Sequence, residues 1–163
     1  MKFLKIRDVK SPSRGTSKSA GIDFYIPNDW NDGEPFKLQA GQRLLIPCGI
    51  KVKLPEGYAL IAHNKSGVAT KKGIIFGAQV VDEDYQGELH LSLINTNQVV
   101  ESFGDAEYSI DLGIVEIVPG EKIMQFLLVP VNYVLPEEVN TIDELYDEIT
   151  ERGEGGFGST GVK

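Results

Sequence analysis

The sequence predicts an all-β fold, a sandwich, jelly roll or barrel. Three observations carry that reading. Short runs of β-type residues recur along the chain, turn residues punctuate them at close intervals, and no ten-residue helical pattern lies between them. The length of 163 residues suits one domain with a sizeable core. Its 18 glycines and 8 prolines supply the turns that many short strands need.

The strands follow in order. Phe3–Arg7 alternates, as do Leu44–Lys53 around Pro47, Tyr58–His63, Glu88–Asn95 and Ile114–Val118. In Leu89–Leu93 the period of two is clean, which predicts a half-buried strand. Lys122–Val131 is more continuously apolar, as a strand buried on both faces is. Turns fall at Pro27–Asp29, Asn31–Gly33, Ala40–Gly41, Pro55–Gly57, Phe103–Asp105 and Pro119–Glu121. No internal repeat is visible. Residues 1–135 form the body and 136–163 a C-terminal arm.

One segment leaves the β pattern. Ile142, Leu145, Tyr146 and Ile149 stand at i, i+3, i+4 and i+7, and Thr141 with Glu144 forms a potential capping box. The segment reads either as a short amphipathic helix or as an extended arm whose apolar residues dock singly. Beyond it five of the nine residues Gly153–Gly161 are glycine. A tail of that composition orders only at a high entropic cost and buries almost nothing, which predicts a flexible arm.

Charge narrows the function. The net charge is -8, and Pro136–Glu154 alone carries eight acidic residues against Arg152. The body is close to neutral, so it lacks the Lys/Arg excess that non-specific nucleic-acid binding requires. No apolar run approaches the ~20 residues of a membrane span. The charged start MKFLKIRDVK does not read as a signal peptide. A single cysteine, Cys48, allows neither an internal disulfide nor a cysteine-based zinc cage, and fits a reducing, cytoplasmic compartment. His63 and His90 have no companions at ligand spacing and read as ordinary strand residues. No serine sits in a nucleophile-elbow sequence.

Five segments carry candidate chemistry. Val80–Gly87 runs from two apolar residues into the triplet Asp82-Glu83-Asp84, then Tyr85 and Gly87. It reads as a solvated hairpin turn, or as a base or metal anchor beside a flat aromatic. Asn64–Ala69 places Lys65, Ser66 and Gly67 together, followed by Lys71 and Lys72. This is either a serine-started short helix or a phosphate cradle, and it is not a Walker loop because the Gly-x4-Gly-Lys spacing is missing. The tail offers Arg152 for phosphate, Phe157 for stacking on a base, and the hydroxyls of Ser159 and Thr160. Ala20–Phe24 holds one carboxylate, Asp23, and Lys122–Val131 holds one amide, Gln125.

Taken together and in this order, Ala20–Phe24, Lys65–Ala69, Gly77–Gly87, Lys122–Val129 and Arg152–Gly161 resemble the five motifs of the trimeric dUTP diphosphatases, the dUTPases. The resemblance runs from about residue 14 to residue 161. It implies a β jelly roll or distorted barrel with a flexible C-terminal arm, a homotrimer with three shared active sites, and Mg2+ as cofactor. The implied reaction is hydrolysis of dUTP to dUMP and pyrophosphate. That reaction limits uracil in DNA and supplies dUMP for dTMP synthesis.

The resemblance also implies roles. Asp82 is similar to the general base that activates water against the α-phosphorus. Tyr85 is similar to the residue packed on deoxyribose. Gly77, Ala78, Gln79 and Val81 belong to the hairpin that meets uracil and sugar. Lys65, Ser66, Gly67 and Gln125 match phosphate-contacting positions, and Asp23 the carboxylate that reaches metal through water. Arg152, Phe157, Gly158, Ser159 and Thr160 match the arm that closes over a neighbouring site. Where the family most often has Arg-Ser-Gly, this chain has Lys65, a point charge without the bidentate fork. Asn28–Pro35 and Gln98–Asp111 read as enlarged surface loops. The related dCTP deaminases resemble Asp-Pro-Gly-Trp-Glu-Gly over Asp82–Gly87, with the Glu as their deaminating base. Gln86 stands there and argues against deamination. A non-catalytic nucleotide-binding module of the same fold is the remaining alternative, against which stand the intact Asp82, Tyr85, Ser66 and Gln125.

Overall fold

A computed structural model describes residues 1–103 and 108–155. The chain falls into two compact units, Met1–Asn132 and Tyr133–Lys163. The first is all-β. Its strands are β1 Lys2–Lys5, β2 Ile22–Tyr25, β3 Phe36–Leu38, β4 Arg43–Pro47, β5 Ile50–Lys53 and β6 Tyr58–Asn64. The helix α1 Ser66–Lys72 follows, then β7 Ile74–Phe76, β8 Val80–Val81, β9 His90–Asn95, β10 Val100–Phe103, β11 Tyr108–Asp111, β12 Val115–Ile117 and β13 Lys122–Pro130. Every strand pairing among the described residues is antiparallel. They form a four-stranded sheet β2-β13-β6-β8, a three-stranded sheet β4-β9-β7, and three strand pairs.

Alternation decides which side of each strand is buried. Leu89, Leu91 and Leu93 are buried while His90 is exposed, as the period of two predicts. Leu44–Lys53 is two strands rather than one. Gly49 turns the chain between them at φ 72°, and a Cβ there would stand 2.9 Å from the Arg7 Cβ. β13 is not buried on both faces. Ile123, Met124 and Phe126 enter the core, and a register shift between Lys122 and Met124 lets consecutive residues do so. Gln125, Leu127 and Val129 on the outer side stay half-buried. Phe24 and Phe126 meet edge to face at 4.8 Å in the centre of the core. Cys48 is fully buried, and burial pushes its thiol up to about 12.

Both expected surface loops carry regular structure among the described residues. Asn28–Pro35 contains a tight turn in which Asn31 and Asp32 adopt left-handed backbone, a conformation these two side chains tolerate. Trp30 from this turn packs on Phe36. Gln98–Asp111 carries the β10–β11 hairpin. Its root is fixed by Asn95, which is 0% exposed. The Asn95 Nδ2 donates to the carbonyls of Leu38 (3.0 Å) and Gly113 (2.8 Å), and its Oδ1 accepts from the Asn97 backbone and side-chain nitrogens. One buried amide thus holds both ends of the insertion, with all its capacity used.

In the second unit the Thr141 half of the capping box forms, and the Glu144 side chain reaches one residue past the cap, to Asn140. The Glu144 amide donates to the Thr141 Oγ1, and the Glu144 carboxylate accepts from the Asn140 amide. The helix it starts, α2 Ile142–Leu145, is a single turn, and Tyr146 is already extended. Asp143 with Asp147 and Glu144 with Glu148 are like charges four residues apart, and acidic residues oppose the dipole at a helix C-terminus. Ile142, Leu145, Tyr146 and Ile149 are exposed, Ile149 at 95%.

Candidate active site

The four-stranded sheet aligns three polar residues on its outer face. Asp23 on β2, Gln125 on β13 and His63 on β6 are direct cross-strand neighbours. Gln125 donates through Nε2 to the Asn64 carbonyl at 2.8 Å. Gly21 makes room for it, since a Cβ at 21 would lie 2.2 Å from Gln125 Oε1 and 3.3 Å from its Cβ. His63 was an ordinary strand residue by sequence. Its place in this row is visible only once β6 and β13 are in register.

Asp23 stands at the β2 end of the row, with Gln125 between it and His63. It is 5% exposed. Lys65 Nζ lies 2.5 Å from its Oδ1, and Lys122 Nζ lies 3.0 Å from its Oδ2. Burial pushes the carboxyl upward, but the hydrogen bonds and charges of Lys65 and Lys122 outweigh it and hold it below the usual carboxylate range. Asp23 in turn raises Lys122. Lys122 carried no signal in sequence, because its partner lies 99 positions away.

Lys65 also opens α1. Its carbonyl accepts from the amides of Val68 and Ala69, Val68 anchors the helix in the core, and Gly73 closes it in the left-handed conformation. Ser66 and Gly67 are exposed at the first turn, beside the ion pair. A Cβ on Gly67 would touch nothing, so the backbone there is open to a ligand.

The acidic hairpin is built differently. Gly77 donates to the Ser92 carbonyl and lies too close to the Ser92 hydroxyl for any side chain. The Gln79 carbonyl accepts from Ala62, and Val80 and Val81 pair with Ile61 and Leu60. The three carboxylates then separate. Glu83 Oε2 accepts from the Gly57 amide at 2.7 Å and ties the hairpin down. Asp82 and Asp84 are exposed, and among the described residues their side chains make no hydrogen bond or ion pair. Tyr85 donates its hydroxyl to the Glu88 carbonyl at 2.9 Å and lies over Gly87, where a Cβ would be 2.2 Å from its oxygen. Gly87 is therefore what lets the ring lie flat, 43% exposed.

One chain does not bring these two clusters together. From β2 to β8 is three strand spacings, about 14 Å, and Asp82 lies a further four residues, about 13 Å, beyond the level of His63. A triphosphate reaching both from one chain is too short by this geometry. Arg152 donates from Nε to the Gly155 carbonyl within its own unit. Phe157, Gly158, Ser159 and Thr160 lie outside the described residues.

The donor set does not suit a metal held by the chain at Asp23. Both carboxylate oxygens are taken by ammonium groups, which also repel a divalent cation. Among the described residues no three His, Cys, Asp or Glu side chains cluster as metal ligands. No helix among them is long and apolar enough to cross a membrane.

A sequence model of the dUTPase family matches residues 7–102. The chain belongs to the dUTPase family. The deoxyuridine 5'-triphosphate nucleotidohydrolase of Hydrogenobaculum is 37% identical to it over 168 residues, covering 100% of both chains. That of Corynebacterium jeikeium is 37% identical and covers 96% of this chain and 88% of the relative. Among solved structures, the dUTPase of Staphylococcus bacteriophage 80alpha with dUPNHPP superposes with a TM-score of 0.76 at 25% identity, covering 99% of this chain and 98% of the phage chain. The dUTPase of S. aureus phage phi11, described with a structural Mg(II) ion, shares the fold at a TM-score of 0.69 and 21% identity, covering 87% and 97%. The all-β dUTPase fold and the family membership expected from the five motifs are thus both found.

Proposed function

We infer that this chain is a dUTP diphosphatase, hydrolysing dUTP to dUMP and pyrophosphate. The observation that carries the chemistry is the contrast within one hairpin: Glu83 is tied to Gly57 while Asp82, beside Tyr85, has no partner among the described residues. A free carboxylate on a fixed hairpin is what a general base for water needs. Asp82 takes the proton of a water whose oxygen attacks the α-phosphorus. The bond to the bridging α,β-oxygen breaks, and pyrophosphate leaves with that electron pair. Tyr85, laid flat over Gly87, supports the deoxyribose and leaves no space for a 2′-hydroxyl. The backbone of Gly77–Gln79 meets the uracil edge. Lys65, Ser66, Gly67 and Gln125 take the phosphates, and positioning with charge neutralisation supplies most of the barrier reduction.

The separation of the two clusters supports a homotrimer with shared sites. Each nucleotide then lies between the Asp82 hairpin of one copy and the Lys65–Gln125 face of another. Outward-facing Leu127, Ile61 and Val80, the last 65% exposed, offer apolar surface for such contacts. Three copies of 17.9 kDa give about 54 kDa by light scattering. Arg152, Phe157, Gly158, Ser159 and Thr160 serve as the closing arm, so truncation after Thr150 leaves melting unchanged and collapses turnover. Mg2+ is read as a cation that the triphosphate brings with it, and the cytoplasm as the compartment, in keeping with the buried free thiol of Cys48. The function reading is tested by pyrophosphate release from dUTP, UTP and dCTP, with and without Mg2+. Strong preference for dUTP is expected, and comparable kcat/KM for all three overturns the roles of Tyr85 and the hairpin.

A further inference from the structure

The carboxylate read by family resemblance as a metal-water contact carries a lysine on each of its two oxygens. Asp23 is a buried template: its side chain is 7% exposed, whereas those of Lys65 and Lys122 are 20% and 44% exposed. The carboxylate therefore lies beneath, and the ammonium groups face outward beside Gln125. Two cations on one anion leave one net positive charge at the surface. Each ammonium has three donors, so a single bond to Asp23 leaves two for a ligand. Lysine at 65 makes this arrangement possible. A guanidinium there has the fork to claim both oxygens of Asp23, whereas an ammonium takes one and leaves the other for Lys122.

We propose that Lys122 is a second triphosphate-binding cation, paired with Lys65 on Asp23, and that the pair gives this chain affinity for the nucleotide's phosphates without a metal. The proposal rests on the dUTP reading above and adds to it a residue and a metal dependence. Lys122 stands at the start of β13, three residues from Gln125, with its head already drawn to the outer face by Asp23. Its long stem lets it turn from Asp23 to a phosphate oxygen at little cost, since it is the more exposed of the two.

The test is equilibrium binding of dUPNHPP to the full-length protein, in EDTA and in Mg2+, for the wild type, Lys122→Met and Lys122→Arg, with melting temperatures alongside. Wild type is expected to bind in EDTA within about tenfold of its affinity in Mg2+. Lys122→Met is expected to lose about tenfold or more in EDTA and to become strongly metal-dependent, and Lys122→Arg to recover most of the loss. Wild type that binds only in Mg2+ overturns the proposal. So does a Lys122→Met protein that melts lower but keeps wild-type affinity in EDTA, because Lys122 then only props Asp23. Wild type that binds the analogue in neither condition and leaves dUTP intact sinks the nucleotide reading itself, and the proposal with it.

Discussion

Asp23 and Asp82 are the same residue type in opposite settings. Asp23 is buried, holds two ammonium groups, and is kept below the usual carboxylate range. Asp82 is exposed, unpaired among the described residues, and carried on a hairpin that its neighbour Glu83 anchors. A carboxylate whose oxygens are both committed positions other groups. One with free oxygens can accept a proton. The difference assigns structure and charge placement to the first and proton transfer to the second.

The strongest way to break this contrast is Asp82→Asn. It is expected to cost on the order of 10²–10⁴ in kcat while the melting temperature stays within a degree or two, because no native contact is lost. Near-normal dUTP turnover removes Asp82 from the chemistry. Gly21→Ala probes the other cluster. Its Cβ collides with the Gln125 side chain down to Cβ, so Gln125 must leave its place. We expect KM for dUTP to rise about tenfold with a smaller change in kcat. An unchanged KM shows that Gln125 does not touch the phosphates.

Gly87→Ala sharpens the Tyr85 assignment. The new methyl displaces the ring from its flat position and breaks its bond to Glu88. Stability should fall by about 1 kcal/mol, while the ratio of kcat/KM for dUTP over UTP drops several-fold. A preserved ratio means the ring does not gate the 2′ position. The smallest effect concerns acid. Because the folded pKa of Asp23 is depressed, its contribution is present above the ordinary carboxylate pKa of about 4 and is lost as pH falls through its folded value. Melting followed from pH 7 to pH 3 should decline more steeply in wild type than in Asp23→Asn. Parallel curves mean that the two lysines do not stabilise the charged form.

Much of this was legible in the sequence. The alternation of Leu89–Leu93, the glycine turns and the five segments announced an all-β dUTPase, and Asp82, Tyr85 and Gln125 stood out by type. What stayed hidden depends on distant pairing. Nothing local distinguishes Glu83 from Asp82, since the Gly57 amide that separates them comes from the turn before β6. Lys122 looks like any strand-end lysine until β2 lies beside β13. Asn95 closes an alternating run as a polar residue, and only the fold reveals what its amide holds. Of the short helix and the extended arm that the apolar spacing after Thr141 allows, the chain takes a single helical turn, Ile142–Leu145, and is extended at Tyr146. The acidic repulsion along one face that ends the turn is invisible to a count of apolar positions.

That amide also determines how replaceable the segment beside it is. Asn95 clasps Asn97 at one end of the insertion and Gly113 at the other, so the two chain ends leaving and re-entering the body are fixed whatever runs between them. Closing a longer loop across fixed ends costs little, about 0.6 kcal/mol for each doubling of length. The Gln98–Asp111 position is thus a socket: a peptide epitope, a fluorophore-bearing cysteine or a small domain can be seated there while the strands of the body keep their register.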